Sequence, residues 1–121
     1  MKHHKLFLLA TALFLTATSA YGKPGGGLRG VVVTAQGVPV ASAQVFCQTA
    51  DGKAPHTVRT DLAGQFQFVA LPEGLYELRA QASGMWSEWQ HNVVVRRGKE
   101  AKATLRLLRS GPPPPSARKN K

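Results

Sequence analysis

The chain has 121 residues, a formal net charge of +10 and one cysteine. A chain of this length forms one domain of roughly 100 residues, which excludes a large multidomain enzyme. A single cysteine excludes an internal disulfide, so the stability of the fold must come from its hydrophobic core.

The first 22 residues have the pattern of a secretory signal peptide. Basic residues at 2–5 precede the uncharged run LFLLATALFLTA, and small residues follow at 17–22. This run is shorter than the roughly 20 apolar residues that a membrane-spanning helix needs. We therefore expect an exported protein, periplasmic or secreted, with cleavage after Ala20 or Gly22 and no transmembrane segment in the mature chain.

The mature chain divides into three parts by composition. Residues 23–27, KPGGG, predict a flexible leader, and residues 110–121 predict a basic tail whose four prolines cannot join a sheet. Between them, residues 28–109 alternate apolar and polar side chains in short runs separated by Gly, Pro and Asp. This spacing is typical of an all-β sandwich or barrel.

Seven strands are predicted in chain order. They lie at residues 28–34, 42–48, 57–60, 65–69, 75–82, 90–96 and 100–108. In the second strand Cys47 shares the apolar face with Ala43 and Val45, which predicts a buried thiol. The fifth strand has the clearest alternation, which directs Tyr76 and Leu78 inward and the polar residues between them outward.

The last two strands are predicted to form a hairpin. Gly98 in the sequence Arg97-Gly98-Lys99 can supply the positive φ that a three-residue hairpin loop requires. This closure would place Arg96 opposite Glu100, where opposite charges attract.

Several spaced motifs resemble the carboxypeptidase regulatory-like domain. They are Gly30, Gly37, Pro39-Val40, Ala43 and Val45, followed by TDLAGQFQFVALPEGLYELRAQASG at residues 60–84. The resemblance covers about 28–108 and implies a non-catalytic module, a seven-stranded antiparallel β-sandwich of the immunoglobulin-like or prealbumin-like kind. Two positions depart from the family pattern, because Thr34 stands where the family often has Asp and Ser42 where it often has Gly.

The positive charge is concentrated at the C-terminal end. Residues 23–95 are neutral in sum, whereas residues 96–121 carry nine Lys and Arg against one acid, Glu100. Such asymmetry favours an anionic partner, although a solvated surface with a solubilising tail would have the same composition. The predicted partner-binding residues within the folded core are Arg96, Arg97, Lys99, Lys102, Arg106 and Arg109.

Two tryptophans lie close together in GMWSEWQHN at residues 84–92. Trp86 and Trp89 predict a ligand platform that stacks on a sugar or forms a protein hot spot. The alternative is structural, with one tryptophan closing the end of the sandwich and the other half-exposed.

The residues offer little for catalysis. The two histidines of the mature chain, His56 and His91, lie far apart and outside any zinc-peptidase motif, and no Gly-rich phosphate loop is present. We expect no catalytic residue, metal or cofactor, and the predicted export signal argues against a nucleic-acid partner. The leading hypothesis is a non-enzymatic binding or assembly module for an anionic envelope component or an acidic protein. A carbohydrate-binding module and a periplasmic accessory subunit of a larger enzyme complex are the alternatives.

Overall fold

The computed structural model describes residues 25–115, so the predicted signal peptide and the end of the tail lie outside the described residues. Within this range the chain forms eight strands. They are β1 Gly26–Thr34, β2 Gln44–Thr49, β3 His56–Arg59, β4 Gln65–Leu71, β5 Gly74–Ala82, β6 Met85–Ser87, β7 Gln90–Val95 and β8 Glu100–Arg109. The seven predicted strands are all present, and β6 is the strand that the sequence pattern missed.

The strands form two layers joined by β6. One layer has the order β4–β1–β8, and the other has the order β3–β2–β5–β7. The short β6 pairs with β5 through Trp86 and with β8 through Ser87. Ser87 is buried, and its hydroxyl accepts a hydrogen bond from the Ala80 amide (2.8 Å), in the gap between the pairing of β5 with β6 and its pairing with β7.

The predicted all-antiparallel arrangement is wrong for the pairing of β8 with β1. β8 runs parallel to β1 in a continuous register from Gly27↔Glu100 to Thr34↔Leu107. The turn at residues 97–99 exists, and the Lys99 amide bonds the Arg96 carbonyl oxygen (3.1 Å), but it leads from one layer to the other. The predicted hairpin, with Arg96 opposite Glu100, is therefore wrong. Alternation identifies the inward side chains of both strands without identifying the neighbouring strand.

One apolar core fills the space between the layers. Leu28, Val32 and Leu105 of the first layer pack with the inward residues of the second. Cys47 is buried as predicted, and this burial raises the pKa of its thiol to about 12. Tyr76 is also buried, and its hydroxyl donates to the Pro72 carbonyl oxygen (2.8 Å).

The ends of the domain are more ordered than the sequence indicates. Gly26 and Gly27 belong to β1 rather than to a flexible leader. A Cβ on Gly26 would overlap the Arg96 carbonyl oxygen, so glycine permits this close approach. At the other end Pro113 is buried against the domain, although residues 112–115 join no strand, as predicted. In residues 25–115 no helix is long and apolar enough to span a membrane.

Candidate functional site

The outer side of the β4–β1–β8 layer carries a group of exposed basic residues. We define this basic face by Arg29, Lys102 and Arg106, together with the polar residues Gln67 and Thr104. The parallel register places Arg29 directly beside Lys102 and Val33 beside Arg106. Paired strands lie about 4.8 Å apart, and alternate residues point to the same side. The register thus brings three cations from two strands onto one surface.

The charges of the basic face are compensated to different degrees. The Glu100 carboxylate lies 3.3 Å from Arg29 Nε and accepts a hydrogen bond from Gln67 Nε2 (3.1 Å). Arg106 Nη1 donates to the Ala35 carbonyl oxygen (3.1 Å), which orients the guanidinium without neutralising it. Among residues 25–115, Lys102 has neither an acidic nor a hydrogen-bonding partner for its ammonium group. The face therefore retains net positive charge.

The other predicted basic residues lie elsewhere. Arg96, Arg97 and Lys99 are exposed on the turn before β8, where the Arg97 amide donates to Glu73 Oε2 (2.8 Å). Arg109 is half-buried on the opposite side of β8 from Lys102, and its Nη1 lies 2.7 Å from Glu88 Oε2. The six predicted residues thus occupy three places.

Arg29 is the cation of the basic face that the sequence analysis did not predict. It lies in β1, some 70 residues before Lys102, in a segment whose charges sum to zero. The parallel pairing of β1 with β8 brings the two residues together. Arg29 could have been found by predicting this strand pairing, but not by counting the charge of local segments.

The outer side of the β3–β2–β5–β7 layer carries an aromatic cluster, defined here as Phe46, Arg79, Trp86 and Trp89. The Phe46 and Trp86 rings stack with centroids 6.0 Å apart. The Arg79 guanidinium lies 5.4, 4.9 and 4.7 Å from the ring centroids of Phe46, Trp86 and Trp89. Burial lowers the pKa of this guanidinium, an effect that the nearby Glu77 carboxylate opposes. Arginine nevertheless stays charged, so the three rings surround a permanent cation.

A buried carboxylate lies beside this cluster. The outward position of Glu77 was predicted from alternation, but its side chain is 1% exposed. Gln48 Nε2 donates to its Oε2 (2.6 Å), and His91 Nδ1 lies 3.4 Å from its Oε1. A β-bulge sets His91 here, because two residues of β7 face one residue of β5 between the pairs Tyr76↔Val93 and Leu78↔Gln90.

Both tryptophans are half-buried and already contact groups of their own chain. Trp86 stacks on Phe46, while Trp89 stacks on His91 with centroids 6.5 Å apart. The Trp89 indole Nε1 donates to the Pro114 carbonyl oxygen (2.9 Å), so the proline tail crosses this part of the surface. Residues 25–115 contain no group of three His, Cys, Asp or Glu side chains that could hold a metal ion.

Comparison with known proteins identifies the family. A model of the carboxypeptidase regulatory-like domain matches residues 27–108, about two thirds of the chain. The chain belongs to this family. The family match confirms the resemblance drawn from the spaced motifs. No curated protein matches the chain.

Several solved structures are similar in fold. A protein from Pseudomonas aeruginosa, proposed to bind carbohydrate, is 16% identical, with 74% of this chain and 93% of that chain covered and a TM-score of 0.47. The dioxygenase domain of a dioxygenase carbohydrate-binding protein fusion from Streptomyces sp. SirexAA-E is 14% identical, with 74% and 82% covered and a TM-score of 0.47. Catechol 1,2-dioxygenase from Acinetobacter sp. ADP1 is also 14% identical, with 75% and 54% covered and a TM-score of 0.49. At these identities no functional residue transfers to this chain.

Proposed function

We propose that the protein is an exported, non-enzymatic binding module that meets an anionic partner with its basic face. The partner is an anionic envelope component or an acidic protein. The observation that carries this proposal is the pairing of Arg29 with Lys102 on adjacent strands. Like charges set side by side destabilise a sheet, and because Glu100 pairs with Arg29 rather than with Lys102, an anionic partner would relieve the repulsion that remains at Lys102.

The geometry of the face suits such a partner. Its cations project from paired strands, so their spacing is set by the sheet rather than by a mobile loop. Long-range attraction would raise the association rate, while exposed charges are screened over about 8 Å at physiological salt. The turn cations Arg96, Arg97 and Lys99 precede β8 and extend the positive field toward one end of the same strand.

The experiment measures retention of the mature full-length protein on vesicles containing an anionic phospholipid and on immobilised polyglutamate, across a salt series. We expect retention on at least one of them, falling steeply as salt rises, with neutral phosphatidylcholine vesicles as the blank. Lys102→Gln should weaken retention several-fold. Lys53→Gln removes the same charge from an exposed loop outside the basic face and should have a much smaller effect.

Equal retention of the two variants, or retention that does not respond to salt, would contradict the proposal. A carbohydrate ligand at Trp86 and Trp89 is the alternative, and a glycan array probed with the same protein distinguishes it. The structure gives this carbohydrate alternative no specific support, because the rings of both tryptophans already contact Phe46, Arg79 or His91.

A further inference from the structure

The proline tail makes a specific contact with the aromatic cluster. After β8 the chain passes through Ser110 and Gly111, and the Pro114 carbonyl oxygen accepts a hydrogen bond from Trp89 Nε1 (2.9 Å). Pro113 is buried, whereas Pro112, Pro114 and Pro115 are exposed. One proline is therefore enclosed by the domain, and the carbonyl group of the next is hydrogen-bonded.

This combination matches the chemistry by which aromatic surfaces bind polyproline segments. A polyproline II helix has no internal hydrogen bonds, so its carbonyl oxygens are available to outside donors. A tryptophan offers both a flat apolar ring and an N–H donor, and aromatic-lined grooves use these features to bind Pro-rich peptides. Trp89 supplies the donor here, and Pro113, next to the bonded Pro114, is the proline that the domain buries.

The surface that receives the tail is held by the domain itself. The Arg79 guanidinium lies 4.7 Å from the Trp89 ring centroid, and His91 stacks against the same indole. The same guanidinium also contacts the rings of Phe46 and Trp86, which stack on each other. Because these contacts come from β2, β5, β6 and β7, Trp89 would keep its position when the tail leaves, and little entropy is lost on rebinding.

We propose that Trp89, supported by Arg79 and His91, is a receptor for proline-rich extended segments, and that residues 112–115 occupy it in cis. The partner it fits is a proline-rich segment of another protein, which must displace the tail. A tethered segment acts at an effective concentration in the millimolar range. The tail would therefore prevent weak ligands from binding, whereas stronger ligands could displace it. This receptor lies on the opposite layer from the basic face and does not depend on it.

The test uses the full mature chain and an opened variant of the same length. The opened variant carries Pro112→Gly, Pro113→Ser, Pro114→Gly and Pro115→Ser. The probe is the peptide SGPPPP, acetylated at its N-terminus and amidated at its C-terminus so that it carries no charge, and the control peptide SGGSGS has the same caps and length without prolines. The protein has two tryptophans, so binding is followed through two indole N–H resonances, which Trp86→Phe assigns.

We expect the Trp89 indole resonance to differ between the mature chain and the opened variant, and SGPPPP to move it back toward the mature-chain position. The peptide should bind the opened variant at least tenfold more tightly than the mature chain, independently of salt. Trp89→Phe in the opened variant keeps a ring but loses the donor, so its affinity should fall about three- to tenfold. Trp86→Phe also keeps a ring beside Arg79 but removes an indole N–H other than the one that bonds Pro114, so its affinity should fall less than that of Trp89→Phe.

Three results would overturn the proposal. The first is an opened variant that does not prefer SGPPPP over SGGSGS, and the second is a Trp89→Phe variant that binds as well as its parent. The third is a mature chain that dimerises through exchanged tails, which would make a second copy the partner. The two proposals can fail separately. Salt-independent peptide binding without vesicle binding would support the receptor alone, and vesicle binding without peptide binding would support the basic face alone.

Discussion

The charged residues on the two outer faces of the domain differ in how far they are exposed to solvent. On the basic face Arg29 and Lys102 are exposed side by side, and Glu100 contacts the arginine. On the other layer the Arg79 guanidinium is surrounded by three rings, and the Glu77 carboxylate is 1% exposed. In both layers strand alternation directs these side chains away from the core. Their environments differ because the second layer has large aromatic side chains on its outer side, and the proline tail bonds one of them.

This difference in exposure implies that the two faces contribute differently to the stability of the fold and to the binding of a partner. Half-buried aromatic rings contribute apolar contact and cation–π attraction to the folded state. Exposed cations contribute little to stability and are available to a partner. The aromatic cluster should therefore matter for folding as well as for the tail, whereas the basic face should matter mainly for binding.

The largest expected effect is on the free energy of unfolding when the aromatic cluster is truncated. Trp86→Ala removes the ring that stacks on Phe46 and contacts Arg79, and should cost about 2–4 kcal/mol. Lys102→Ala on the basic face should change stability by about 0.5 kcal/mol or less. Urea denaturation of both variants measures the two values. Similar costs would contradict the division between the faces.

The second prediction concerns the core that both layers share. Burial raises the pKa of the Cys47 thiol to about 12 from an ordinary value of 9.0. Above pH 9 the unfolded thiol ionises while the folded one keeps its proton, so the free energy of unfolding falls as pH rises toward 12. The slope attributable to Cys47 is at most about 1.4 kcal/mol per pH unit.

Cys47→Val provides the comparison for this slope, because other groups that titrate at alkaline pH are common to both proteins. We expect a constant stability difference below pH 9 and a growing relative loss for the wild-type protein above it. If the free energies of unfolding of the two proteins kept a constant difference up to pH 11, the thiol would be open to solvent. Slow reaction with a thiol reagent in the native state checks the same burial independently.

The sequence predicts the inward side of most strands and much less of the outer surfaces. Cys47 and Leu78 are buried as alternation requires, because a half-buried strand has one apolar side. Glu77 fails this pattern because its cover comes from a bulge in β7 and from distant residues. Arg29 joins Lys102 through a parallel pairing of residues far apart in the chain, for which local spacing carries no signal.

The two departures from the family pattern offer a further contrast, one at the end of β1 and one in the turn before β2. Thr34, where the family often has Asp, uses its hydroxyl to accept hydrogen bonds from the Gln36 and Val38 amides at 3.2 and 3.1 Å. A short polar side chain thus still supports the turn after β1. Ser42, where the family often has Gly, has a φ of 59°, in the left-handed region that disfavours side chains.

The smallest expected effect follows from this contrast. Ser42→Gly should stabilise the protein by about 0.5–1 kcal/mol, because relief of the left-handed strain exceeds the added entropy of the unfolded chain. The bonds of its backbone to Thr60 and Arg59 involve no Ser42 side-chain atom and should persist. Ala41→Gly is the matched control, because its φ is not positive, and it should destabilise slightly. Thr34→Asp should leave stability nearly unchanged. Thermal and urea unfolding of the three variants tests the ranking, and a loss of stability in Ser42→Gly would show that the serine side chain stabilises this turn.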